Sequence, residues 1–232
     1  MIKTTQLLVA SILALTACTS NQTEVPSTVQ QKLLESYSLK RDANGAYSID
    51  LKTTNYTDVT SLKNSENANE IILSEASNKT AKKYSNDFLI ENEQLVIGFL
   101  DANKGNRKKI TIEDQNSNLA KRNITEFLNS YSVTENNDGT YLLSFKVNNN
   151  VATTFTYNQE IATYEVHLSK GNTTKKDFSE TIALSANQNT LRIDFVNHKY
   201  SAIKGITSSR KAMEAYGRKP RVIIENGNDM NL

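Results

Sequence analysis

One cysteine, two prolines, eight glycines and no tryptophan are spread over 232 residues, and each scarcity closes off a class of protein. A lone thiol forms no internal disulfide, so the body of the chain must be held by packing alone. Eight glycines are few for a loop-built active site. No phosphate-cradling glycine loop and no Gly-x-Ser-x-Gly nucleophile elbow is present. The two histidines, His167 and His198, would make a zinc site only with carboxylates, and nothing in their spacing places them together. No run approaches the roughly 20 apolar residues that span a bilayer. Charge is nearly balanced, with 27 basic against 25 acidic side chains, which is no nucleic-acid footprint. Neither a cofactor nor a resident metal is implied.

What the chain does have begins at that one cysteine. Lys3 precedes an apolar run over residues 7–15, then Leu15-Thr16-Ala17-Cys18. A charged start, a short apolar core and small residues before the cut read as a secretory signal over residues 1–17. Leu15-Thr16-Ala17-Cys18 resembles the lipobox of bacterial lipoproteins. The resemblance implies cleavage before Cys18 and acylation of its sulfur and new amino terminus. It further implies anchoring in the cell envelope, and Thr19 rather than an aspartate after the cysteine points to the outer membrane. An ordinary signal peptide with an incidental thiol is the alternative. Residues 18–28 then serve as a lipidated tether, whose ten residues after Cys18 reach at most about 35 Å when extended.

The remainder repeats itself at an offset near 94 residues. Leu34-Glu35-Ser36-Tyr37-Ser38 matches Leu128-Asn129-Ser130-Tyr131-Ser132, and Gly45-Ala46-Tyr47 matches Gly139-Thr140-Tyr141. Leu95-Val96-Ile97-Gly98-Phe99 matches Leu191-Arg192-Ile193-Asp194-Phe195. A period of this length gives one small domain per copy, over residues 29–115 and 123–225. Both copies read as strands. Tyr47, Ile49 and Leu51 alternate with polar residues, as do Tyr141, Leu143, Phe145 and Val147, the period-two pattern of a half-buried strand. Asn44-Gly45 and Asp138-Gly139 before them supply the positive φ of hairpin turns. Tyr37 with Leu39, and Tyr131 with Val133, begin each copy's strands. Further strands are expected over 70–74, 88–90, 95–100 and 109–112, with counterparts over 162–168, 181–184, 191–196 and 221–224.

The fold class expected is therefore mainly β, two tandem small β-sandwich domains with a short C-terminal helix. The run over 95–106 looks like the penultimate strand and hairpin of bacterial immunoglobulin-like domains. The alternative is a tandem α+β repeat, with short helices over 27–35 and 117–129.

Few residues suggest a site. Asp101, Asn103 and Asn106 around Gly105 cluster oxygens as calcium loops do, but Lys104 intrudes, and a plain turn is the better reading. His167 is expected to face solvent. Arg210, Lys211, Arg218, Lys219 and Arg221, with Lys199 and Lys204, meet only Glu214. A helix over 210–216, capped by Ser208 or Ser209 and ended by Gly217, would carry part of this charge. Such a face would meet an anionic partner, a lipid headgroup or glycan among them, or serve solubility alone. Three functions remain in view. The first is a lipid-anchored, non-catalytic binding or structural module of the envelope, for an envelope or host protein or an anionic glycan. The second is an inhibitor or assembly accessory, using protruding loops over 61–69 and 148–159. The third is an envelope hydrolase, for which no constellation of residues is recognisable.

Overall fold

The computed structural model describes residues 32–64, 68–101, 106–114, 127–197 and 218–227. They form fourteen strands and no helix. The first copy supplies β1 (Leu34–Arg41), β2 (Tyr47–Thr53), β3 (Thr57–Lys63), β4 (Asn69–Glu75), β5 (Lys83–Phe88), β6 (Gln94–Asp101) and β7 (Asn106–Glu113). The second supplies β8 (Leu128–Glu135), β9 (Tyr141–Val147), β10 (Val151–Asn158), β11 (Thr163–Lys170), β12 (Asp177–Ile182), β13 (Thr190–Asn197) and β14 (Arg218–Gly227). Two sheets pack face to face as a β-sandwich around one apolar cluster. Alternation does this locally. Tyr47, Ile49 and Leu51 point inward and are buried, while Ser48, Asp50 and Lys52 point outward. Each fully buried aliphatic side chain contributes about 1.5–3 kcal/mol.

The two copies share both sheets. The six-stranded sheet runs β12-β9-β8-β1-β2-β5, and the eight-stranded sheet runs β10-β11-β13-β14-β7-β6-β4-β3. The halves meet along β1·β8 in one sheet and β7·β14 in the other, both antiparallel. At the first joint Leu39 faces Val133, its own repeat equivalent, and Tyr37 and Arg41 face Glu135 and Tyr131. The joint therefore has the geometry of a twofold axis. The tandem units foreseen from the repeat are halves of one sandwich, joined edge to edge.

The hairpins at Gly45 (φ 85°) and Gly139 (φ 82°) are built alike. Asp42 N and Asn136 N donate to Ala46 O and Thr140 O at 2.9 and 2.8 Å. Gly45 N and Gly139 N each donate back across the turn at 3.1 Å.

Several expectations need correction. The segment 148–159 is no protruding loop, since most of it is β10, and 61–69 is flanked by β3 and β4. Both β3 and β10 are outermost strands with little buried surface, so they lack the apolar alternation that marks inner strands. The strands expected over 88–90 and 181–184 lie earlier, as β5 and β12, whose outward positions are polar. Leu34, Glu35, Leu128 and Asn129, placed in helices by the α+β alternative, are in strands. The C-terminal helix over 210–216 lies outside the described residues, as does Cys18. One difference between the copies is plain from the strand boundaries. Residues 102–105 connect β6 to β7, whereas residues 198–217, holding much of the basic segment, connect β13 to β14.

Candidate functional site

The outward face of the six-stranded sheet is set by strand parity. In β1 and β8 the inward residues are Tyr37 and Leu39, Tyr131 and Val133, so Ser36 and Ser38, Ser130 and Ser132 face out. Neighbouring strands add Ser48, Ser85, Ser144 and Ser179 to the same surface. Short hydroxyls leave the sheet backbone approachable, and two concavities result. One, of about 570 Å³, lies over β8, β9 and β12 and reaches Lys40 and Ser48. The other, of about 400 Å³, lies over β1, β2 and β5 and reaches Thr134. Ser130, Ser132, Lys146 and Ser179 line the first, and their repeat equivalents Ser36, Ser38, Lys52 and Ser85 line the second. They are one site made twice.

The two copies of this site differ in charge. Asp50 stands where the other has Ser144, and Lys83 where the other has Asp177. Lys40 pairs with Asp50, and Ser85 Oγ donates to the same carboxylate at 2.6 Å. Lys40 above all, with help from Ser85, holds the Asp50 carboxyl below its usual range. Lys52 meets Glu35 at 2.8 Å and Lys146 meets Asp177 at 3.3 Å. Exposed pairs of this kind contribute about 0–1 kcal/mol each. Their consequence is positional, since they fix alternating charge along a hydroxyl surface. Small-molecule sites enclose most of the ligand's surface. These concavities are shallow and open, with Phe145, Phe178 and Tyr84 among the hydroxyls, and they match the surface of a larger partner instead.

Behind each concavity lies a buried polar cluster. Arg41 Nε donates to Asp114 Oδ2 at 2.9 Å, and Tyr47 Oη donates to the same oxygen at 2.8 Å. Tyr131 Oη in turn donates to Tyr47 Oη at 3.3 Å. Arg41 is 3% exposed and Asp114 is fully enclosed. In the other half the equivalents of Arg41, Tyr47 and Tyr131 are Glu135, Tyr141 and Tyr37. There Lys108 pairs with Glu135 and lies 5.1 Å from the Tyr37 ring centre, while Asn226 Nδ2 donates to Tyr141 Oη at 2.9 Å. Burial pushes the hydroxyls of Tyr37, Tyr47 and Tyr131 well above the ordinary tyrosine range. Burial also lowers the Lys108 ammonium, with Glu135 opposing it. Arg41, Asp114, Tyr47 and Tyr131 satisfy one another inside the sandwich, as do Lys108 with Glu135 and Asn226 with Tyr141, whereas the Tyr37 hydroxyl is buried with no hydrogen-bond partner among the described residues.

The residues singled out from sequence fall in several places. Arg221 Nε and Nη2 hold Asp194 in a two-pronged pair at 2.8 and 3.0 Å, and Nη1 lies 3.7 Å from Glu113. Its guanidinium is engaged within the eight-stranded sheet. The backbone of Arg218 and Lys219 opens β14, while Arg210 and Lys211 lie outside the described residues. His167 is half-buried on β11. Its Nε2 is 3.0 Å from Glu165, and Thr163 and Glu165 on the same side of β11 are buried. Asp101 is buried and accepts the Leu33 N–H at 3.2 Å, as a strand-end residue does. His198 and Asn103 lie outside the described residues. Among the described residues no group of three or more His, Cys, Asp or Glu side chains is placed to hold a metal. The duplicated serine face went unnoticed in the sequence, although Ser-x-Ser recurs at both 36–38 and 130–132.

No family model matches the chain, and no curated protein or solved structure is similar to it at a significant level.

Proposed function

We propose that this chain is a bacterial lipoprotein, anchored in the cell envelope through acylated Cys18, whose sandwich is a non-catalytic binding module. The observation that carries the reading is the pair of equivalent hydroxyl-lined concavities on one face of the six-stranded sheet. A surface made twice about a twofold joint offers a partner two like contacts, and linking two contacts raises avidity without new chemistry. Its alternating lysines and carboxylates suit a polar macromolecule, an envelope protein above all. The lipobox resemblance supports the anchor, since several acyl chains together hold a protein stably on a bilayer.

The test has two parts. Mass spectrometry of the native protein should find Cys18 as the first residue, carrying acyl chains. An unmodified thiol would remove the anchor from the proposal. For binding, the chain from Thr19 to Leu232 is cross-linked in envelope extract beside the variant Ser38→Arg/Ser132→Arg, which fills both concavities. Capture of a stoichiometric partner by the parent and its loss from an equally stable variant is expected. Equal capture by both would reject the sheet face as the binding surface.

A further inference from the structure

Strand β10 is the outermost strand of the eight-stranded sheet, and its sequence, Val-Ala-Thr-Thr-Phe-Thr-Tyr-Asn, holds no charge, proline or glycine. Edge strands with free backbone groups are templates for further pairing, and proteins usually blunt them with charge, proline or bulges. The equivalent edge, β3, follows that rule. It carries Asp58 and Lys63, and Lys63 reaches Glu91 at 2.7 Å. In β10 those two positions are Ala152 and Tyr157, and Ser61 is replaced by Phe155. One edge of a duplicated sheet has thus lost its guard and gained rings. Phe155 stacks on Tyr164 at 5.7 Å, and Tyr157 lies 4.7 Å from Tyr164. Tyr157 remains 39% exposed, its hydroxyl held by Gln188 Nε2 at 2.9 Å.

We propose that β10 pairs antiparallel with β10 of a second copy of this chain, giving a twofold homodimer in which the eight-stranded sheets run on as one. Two features select a second copy as the occupant. A neutral edge meets an identical neutral edge with no like charges opposed. The chain already joins itself in this way, since β1·β8 and β7·β14 are antiparallel edge pairings that set equivalent residues such as Leu39 and Val133 opposite each other. A twofold perpendicular to the sheet keeps each side chain on its own face. With Thr156 on the axis, Phe155 lies opposite Tyr157 of the second copy, and cross-strand aromatic pairs are among the stabilising ones. A single-strand joint lies at the small end of protein interfaces, so the dimer is reversible and concentration-dependent.

Sedimentation velocity on the chain from Thr19 to Leu232, which keeps every described residue, tests this from micromolar to near-millimolar concentration. The expected result is a monomer-to-dimer shift that Thr154→Lys/Thr156→Lys abolishes and Thr60→Lys on β3 leaves in place. Residues 154 and 156 are exposed, so folding should survive. A second measurement covers the case in which it does not. Thr156→Cys, the sole thiol in that chain, should oxidise to a disulfide-linked dimer far faster than Thr60→Cys. A parent that stays monomeric throughout, a dimer that persists in the folded lysine variant, or equal oxidation of the two cysteine variants would overturn the proposal.

Discussion

Arg41 and Glu135 end equivalent strands, yet one is a cation and the other an anion. The sandwich tolerates the reversal because each is matched from the opposite sheet, Arg41 by Asp114 and Glu135 by Lys108. Desolvating an ion pair costs about as much as its attraction returns, so such pairs matter most when one member is missing. Asp114→Asn should therefore strand the Arg41 guanidinium in the interior and remove about 3–5 kcal/mol. The melting point should fall by roughly 10 °C. Arg41→Met/Asp114→Leu should recover most of that loss in the same thermal melts. If the single variant melts with the parent, the pair contributes nothing and the cluster is wrongly understood.

At the level of elements, the two hairpins allow a controlled comparison. A Cβ at Gly139 would meet nothing within 4 Å, whereas one at Gly45 would lie 3.3 Å from Arg41 Nη2. Gly139→Ala should cost only the left-handed backbone penalty, about 1–2 kcal/mol. Gly45→Ala should cost more, because it also disturbs Arg41, and equal losses in urea titrations of the two would show the contact to be unimportant. These turns were legible in the sequence, since Asn44-Gly45 and Asp138-Gly139 demand positive φ between apolar alternations. Strands such as β2 and β9 were legible for the same reason. What stayed hidden were β3 and β10, whose outer placement leaves few apolar positions to count. The serine face was visible as polar residues but not as a site, because its concavities arise only when β8, β9 and β12, and likewise β1, β2 and β5, lie side by side.

For the whole molecule, the repeat told of two similar units but not that they would share sheets. Edge pairing is made by backbone groups that every sequence offers, so the repeat by itself does not announce it. The physical result is that neither half is finished alone. Residues 29–115 expressed by themselves would bare both β1 and β7, and they should form a homodimer that rebuilds the joint. Light scattering during size exclusion would show twice the expected mass, and a well-folded monomer would contradict the shared-sheet architecture. The joint also sets a timetable. β1 and β7 must wait for β8 and β14, and contacts so distant along the chain close slowly. Until β8 and β14 arrive, the first half is an unsealed surface, and a chaperone or an early binding partner would find it at its most receptive.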